Sequence, residues 1–426
     1  MSARRWLSRP GRAGVAATAA LVLVMAAACN GPAHPSPTAG PPIESGSTPA
    51  ASPTPSPSPT TTPSPSPTPT PSPTPTPTKS ATKPPTQAAG PLAGWTVEQK
   101  VGQLLMVGLP LKGSRDATAD LITNRHVGGV FLKGRTEAGV GPVRNLVNAY
   151  EALDHDPAPL LVATDQEGGE VQVLGGAGFS TIPAATAQVG MADLAGQATG
   201  WGQQLHAAGV TVNLAPVADL VPASLGAGNA PIGHFDRNYG NTPSSVEAGA
   251  GAFAAGMRAA GVVPTFKHFP GLGRVTANTD TTAGVHDTVT GPSDPSVGIF
   301  RQVVADASSG KGPQPWVMMS TAIYDRIDPT LPAAFSPAAV GLLRHTVGFT
   351  GIVITDDVSA AKQVQAWSPG ERAVMAVEAG VDIVLASADP AQANQMADAL
   401  VAKAKTDPAF AAKVDAAAAK VVAAKG

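Results

Sequence analysis

From residue 95 onward the chain repeats one unit, an apolar run of strand length followed by an Ala-rich segment of helical period. The strand-length runs fall at 104–109, 127–132, 160–164, 210–214, 262–266, 316–320, 351–355 and 381–386. Helical segments lie between them at 117–123, 143–153, 191–208, 243–260, 295–308, 337–347 and 369–379, and two more follow at 391–404 and 408–425. Strands joined through helices pair in parallel, because a crossover of that length is what returns the chain to the same end of a sheet. Eight repeats in about 300 residues are enough to close a sheet on itself. The expected fold is therefore α/β, a TIM-type (β/α)8 barrel, with an open doubly wound sheet as the competing architecture.

A barrel of this kind collects its chemistry where strands end, at the carboxyl-terminal face. In this chain those ends carry Asp165 with Gln166 and Glu167, Asp219, Lys267 with His268, Ser320 with Thr321, and Asp356 with Asp357. The stretch VVPTFKHFPGLGRVTANTD at 262–280 concentrates the pattern. A β-branched run ends in Lys267 and His268, and Pro270, Gly271 and Gly273 then force a loop that can approach a ligand closely. The run at 351–358, GIVITDDV, has the same grammar. Asp356 and Asp357 are adjacent, so on a strand they point to opposite faces; one faces the barrel mouth and the other is free to cap or bond to backbone amides. Arg237, in HFDRNYG after the fourth strand, is placed to clamp an anion or sugar oxygens, or to form a surface ion pair.

Not all of the 426 residues belong to that repeat. The 43 Pro and 46 Gly are unevenly spread, and residues 30–90 are almost entirely Pro, Thr, Ser, Ala and Gly. Such a composition buries too little apolar surface to offset chain entropy, so it is expected to be a disordered, polyproline-like linker before a catalytic barrel at 91–426. The first 29 residues have the layout of an export signal: Arg4, Arg5, Arg9 and Arg12, an uncharged stretch at 13–28, then Cys29, the only cysteine. Ala26, Ala27 and Ala28 before Cys29 resemble a bacterial lipobox. The expected outcome is lipidation of Cys29 and anchoring to the outer face of the cell membrane, since 16 residues are short for a spanning helix of about 20. A single cysteine excludes an internal disulfide. A net charge of −2 without any Lys/Arg run offers nothing to nucleic acid, and a monomer is expected.

No cofactor motif is present. His206, His234, His268 and His286 lack the close helical spacing of a zinc site, and cysteine ligands are missing, so no metal is expected. Neither a phosphate loop nor a nucleophile-elbow serine occurs.

Six motifs in order, DQEGG at 165–169, NLAPVADL at 213–220, DRNYG at 236–240, KHFPG at 267–271, VMMSTAIY at 317–324 and GIVITDDVS at 351–359, resemble glycoside hydrolase family 3. The likeness is to its single-domain bacterial β-N-acetylhexosaminidase branch and extends over 95–386. It implies a barrel that removes terminal N-acetylglucosamine from peptidoglycan fragments with retention of configuration. By that resemblance Asp356 is the nucleophile that forms a covalent glycosyl-enzyme intermediate, and Asp165, Arg237, Lys267 and His268 hold sugar hydroxyls. Lys267 would also favour ionised Asp356.

The chain departs from the family at its acid/base. That branch carries an Asp-Ser-His triplet in the loop after KHFPG, and the equivalent count from Lys267 reaches Asn278, Thr279 and Asp280. Leu272 and Val173 also replace the family's usual His and Arg. Three readings stand open. Asp280 is itself the acid/base, its pKa raised when the loop closes over a sugar; His286, followed by Asp287, takes the role; or the acid/base is missing, leaving a slow enzyme or a sugar-binding surface lipoprotein. A carboxylate there would repel phosphate, so hydrolysis rather than phosphorolysis is expected. A β-glucosidase or β-xylosidase on the same fold is the alternative enzyme.

Overall fold

Each of the eight apolar runs forms a strand: β1 (Leu105–Pro110), β2 (Gly129–Lys133), β3 (Leu161–Thr164), β4 (Val212–Asn213), β5 (Val263–Phe269), β6 (Trp316–Met319), β7 (Val353–Thr355) and β8 (Val384–Ala386). The computed structural model describes residues 90–309 and 311–426. The expected export segment with Cys29, and the expected linker up to residue 89, lie outside the described residues. No helix among the described residues is long and apolar enough to cross a membrane.

All barrel pairings are parallel, in the order β7-β6-β5-β4-β3-β2-β1-β8, so strands adjacent in sequence are adjacent in space. The ring closes between β7 and β8, where Ile354 bridges Ile383 and the Thr355 N–H donates to the Ile383 carbonyl at 3.0 Å. An open doubly wound sheet would reverse its strand order at a switch point, and this sheet never does.

Side-chain alternation then divides the core into two. Met106, Phe131, Leu161, Trp316, Met318 and Ile354 pack together with other alternate strand residues as the barrel's filling. Leu105, Val107, Leu109, Val130 and Val162 belong to the larger cluster formed with the helices. Each such side chain, fully buried, contributes about 1.5–3 kcal/mol relative to exposure.

The crossover helices are α2 (Asp116–Arg125), α3 (Val140–Glu151), α4 (Leu194–Ala207), α5 (Pro243–Ala259), α6 (Pro295–Ser309), α7 (Pro337–Gly341), which runs on as a π-helical turn over Leu342–Val347, and α8 (Pro369–Ala379). After β8 come α9 (Ala393–Thr406) and α10 (Pro408–Ala423). Proline at the first turn and a Ser or Thr cap recur: Thr242, Ser336 and Ser368 each accept from a first-turn amide of α5, α7 and α8. Two helices have no counterpart in the sequence reading, α1 (Val97–Gln103) and the single turn Ala185–Gln188. Val97–Gln103 is set by a capping box in which Thr96 and Gln99 satisfy each other's amides, and it packs on α9 and α10.

β5 differs from expectation in one respect that matters for the site. It runs three residues past Phe266, and its register against β6 breaks between Phe266, opposite Val317, and Phe269, opposite Met319. Three steps on one strand against two on the other is a β-bulge, which puts consecutive side chains out of simple alternation. Lys267 and His268 lie in that bulge.

Candidate active site

The carboxyl ends of the strands surround a cavity of about 380 Å³. Its lining brings together Asp165 after β3, Arg237 from the loop after β4, Lys267 and His268 on β5, Asp280 from the loop after β5, and Asp356 after β7. Every residue expected to hold or attack a sugar is therefore on one wall or another of the same space. Phe131, Leu214, Met318 and Leu385 supply apolar surface, and Asn278, Thr279 and Asp357 complete the polar side.

A buried ion cluster forms the fixed half of this site. Lys267 Nζ donates to Asp165 Oδ1 at 2.7 Å and lies 2.6 Å from Glu167 Oε1. Arg237 grips Glu167 with two parallel bonds, Nε to Oε2 at 2.8 Å and Nη2 to Oε1 at 2.7 Å, and gives Nη1 to the Pro231 carbonyl at 2.8 Å. Burial alone would push the Glu167 carboxyl up, but the Arg237 and Lys267 cations hold it at about 2. For Arg237 and Lys267 burial opposes the charge and is outweighed by the acids beside them, Glu167 for Arg237 and Asp165 with Glu167 for Lys267, so both stay protonated. Glu167 thus serves as an internal counterion, a role that its place in DQEGG did not reveal.

Backbone strain places that carboxylate. Residues Gln166–Gly168 fold back on Val171–Gln172 as a bulged hairpin, and Gly168 sits at φ +111°, where a Cβ would lie 2.2 Å from the Pro183 carbonyl oxygen. Only glycine fits there. Asn213 at the end of β4 bonds both the amide and the carbonyl of Gln166, at 3.0 and 3.1 Å, which ties this loop to the neighbouring strand.

His268 is oriented from behind. Its Nδ1 lies 2.7 Å from Asp219 Oδ2, and Asp219 Oδ1 accepts from the amides of His268 at 3.1 Å and Leu272 at 2.7 Å. An ionised carboxylate only accepts, so Nδ1 carries the proton and Nε2 is the ring's free edge. Asp219 is fully buried. It stands at a strand end in the sequence, but nothing there named its partner.

The two neighbouring acids lie just past the end of β7 and both line the cavity, against the expectation that only one would face it, but they bond differently. Asp357 accepts from the Ser387 and Ala388 amides, the Ser359 and Ser387 hydroxyls and the Ala360 amide, at 2.7–3.1 Å, and so ties the β7 and β8 loops together. Asp356 Oδ1 accepts from the Asp357 amide at 2.8 Å. Among the described residues Asp356 Oδ2 has no hydrogen-bond partner. Burial pushes the Asp356 carboxyl above its ordinary range, against the pull of His268, the Asp357 amide and Lys267.

Asp280 stands across from it. Asn278 Oδ1 accepts the Asp280 amide at 2.8 Å, an Asx turn, so Asn278 shapes the backbone of the loop. The Asp280 residue reaches solvent, yet the protein crowding its carboxyl and the like charges of Asp356 and Asp357 raise its pKa to about 6, with His268 and Arg237 opposing. His286 is elsewhere. It pairs with Ile323 in a small sheet and its Nδ1 lies 2.7 Å from Asp325, outside the cavity lining. No group of three or more His, Cys, Asp or Glu placed to hold a metal occurs among the described residues.

One carboxyl that keeps its proton towards neutrality, facing a second flanked by Lys267 and His268, is an arrangement able to protonate a leaving oxygen while attacking the carbon that bears it.

Comparison with known proteins points the same way. Residues 96–424 match the profile of the glycosyl hydrolase family 3 N-terminal domain. The chain is 33% identical over 315 residues to the β-hexosaminidase LpqI of Mycobacterium tuberculosis, covering 70% of this chain and 75% of that one. It is 34% identical over 303 residues to a β-hexosaminidase of Alkalilimnicola ehrlichii, covering 66% and 79%. The crystal structure of a β-N-acetylhexosaminidase from Beutenbergia cavernae superposes with a TM-score of 0.75 at 53% identity, covering 78% of this chain and 98% of that one.

Proposed function

The chain belongs to glycosyl hydrolase family 3, and from that premise we propose a retaining exo-β-N-acetylglucosaminidase in which Asp356 is the nucleophile and Asp280 the acid/base. The observation that carries this reading is the convergence of Asp356, Asp280, Asp165, Arg237, Lys267 and His268 on one cavity. Relatives named β-hexosaminidases favour N-acetylglucosamine over glucose or xylose as the sugar.

The sugar enters with its anomeric carbon over Asp356 Oδ2. Asp165, His268 Nε2 and the Lys267 and Arg237 cations hold its hydroxyls; Arg237 spends three N–H groups on Glu167 and Pro231, and a guanidinium has two more to offer. As the glycosidic bond breaks, Asp280 gives its proton to the departing oxygen and Asp356 forms an ester with the anomeric carbon. Asp280, now a carboxylate, takes a proton from water, which attacks the ester and releases the sugar with its original configuration. Water rather than phosphate is the acceptor, because ionised Asp280 repels a phosphate anion. At about 380 Å³ the cavity lies at the small end for ligand sites, which suits one terminal sugar ring.

In the same reading the protein is a monomer, held by lipidated Cys29 at the outer face of the cell membrane, and its substrates are N-acetylglucosamine-ended fragments of peptidoglycan. The layout of residues 1–29 supports the anchor. Replacing Asp356 by Asn is expected to cut release of nitrophenol from an aryl N-acetylglucosaminide by about 10³-fold or more. A variant retaining more than a tenth of the activity would remove Asp356 from the role.

A further inference from the structure

The loop at 276–285 holds Asp280 in the cavity, and one buried side chain from a different loop fastens it. Gln363 sits in the helical turn Lys362–Val364 between β7 and α8 and is 5% exposed. Its Oε1 accepts the Val285 amide at 2.8 Å and its Nε2 donates to the Val285 carbonyl at 3.2 Å. Its own amide donates to the Thr279 carbonyl at 3.0 Å, and the Lys362 amide donates to the Asp280 carbonyl at 3.0 Å. The segment just after Asp356 and Asp357 is thereby bonded to Asp280, to the residue before it and to the far end of its loop.

We propose that Gln363 is a positioning residue, which seats the Asp280 loop against the Asp356 segment so that the acid/base and the nucleophile keep a fixed relation. The proposal rests on the reading of Asp280 as acid/base. The bonds of Gln363 run to the loop bearing Asp280, and they need both ends of its amide, a donor and an acceptor on one backbone residue. The groups facing the Asp280 carboxyl are Asp356 and Asp357 from beyond β7, His268 from β5 and Arg237 from the loop after β4. Lys362 turns its ammonium to Gln365 Oε1, at 3.2 Å. Without the two bonds to Val285 the loop is held to this segment only by the backbone bonds at Thr279 and Asp280, so the Asp280 carboxyl spends more time away from the two acids and the proton it donates is lost at lower pH.

The test compares pH profiles of kcat/KM for the full chain, Gln363→Met and Asp280→Asn on two N-acetylglucosaminides, one with a dinitrophenyl and one with a sugar leaving group. The methionine keeps the bulk of Gln363 and removes both bonds to Val285. It is expected to lower kcat/KM on the sugar aglycone by about 10²-fold and on the activated aglycone by less than about threefold. The basic limb of its profile should fall by about one pH unit, and amide exchange over 276–285 should rise. Equal losses on both substrates with an unmoved basic limb would overturn the proposal. If Asp280→Asn also shows no preference between leaving groups, the acid/base reading falls and the proposal with it; if Asp280→Asn discriminates and Gln363→Met does not, the role of Gln363 alone falls. Should the methionine variant fold poorly by circular dichroism, Gln363→Asn, one methylene too short for both bonds, must give the same pattern at smaller amplitude, and its failure to do so counts equally against the proposal.

Discussion

Glu167 shows how much of this site is held by a residue with no chemistry of its own to perform. It is the common partner of Arg237 and Lys267, both of which face the cavity, and its carboxyl titrates at about 2. Glu167→Gln leaves two buried cations short of a counterion, and breaking a buried pair in this way destabilises by about 3–5 kcal/mol; guanidinium unfolding at neutral pH measures it. The sign of the pH dependence follows from the same shift. A carboxyl depressed from 4.5 binds more protons unfolded than folded, so its contribution is complete above about 4.5 and is lost as pH falls towards 2. Asp280, raised to about 6, acts with the opposite sign: its ionisation disfavours the fold, and that penalty is relieved as pH falls from about 6 to about 4. The glutamine variant should therefore lose less stability than the parent between pH 4.5 and 2; an unchanged acid limb would show that Glu167 is not the group responsible. Asp165, Lys267, His268 and Asp356 were legible because ionisable groups at strand ends stand out, whereas Asp280 was named only through the family resemblance. Glu167, Asp219 and Gln363 were not assigned, because what marks them is a partner 49 to 78 positions away, and a linear pattern does not pair residues at that distance.

At the scale of elements, the eight strands and their crossover helices followed from period and spacing alone. Their order in the barrel needed nothing further, since each parallel strand returns beside its predecessor. What period does not encode is the local exception. The bulge on β5 exists only in register with β6, yet it is what lets neighbouring Lys267 and His268 line one cavity. Gly108 is another such case: a Cβ there would lie 2.0 Å from the Ser387 carbonyl oxygen, so its smallness is what lets β1 approach the segment that Asp357 ties down. The helix Val97–Gln103 has too few apolar positions in its seven residues to announce a face. Its signal was the cap, Thr96 followed three residues later by Gln99.

For the molecule as a whole, the barrel explains why residues drawn from 165 to 356 share one cavity: parallel strands and the loops that follow them bring all of them to one rim. The proposed placement of this barrel in the cell depends on Cys29, which lies outside the described residues. If Cys29 is lipidated, a Cys29→Ala variant should leave the membrane fraction while keeping its specific activity, and continued membrane association would contradict the anchor. The central claim, that Asp356 attacks the anomeric carbon, has a more direct test in 5-fluoro-N-acetylglucosaminyl fluoride. The ring fluorine slows both steps by destabilising the oxocarbenium-like transition state, and the fluoride leaving group keeps formation of the ester faster than its hydrolysis. Mass spectrometry of the digested protein should find one fluorinated sugar on the peptide that contains Asp356, and on no peptide of the Asp356→Asn variant. Turnover with no adduct and inverted product, or an adduct on a different carboxylate, would contradict the account.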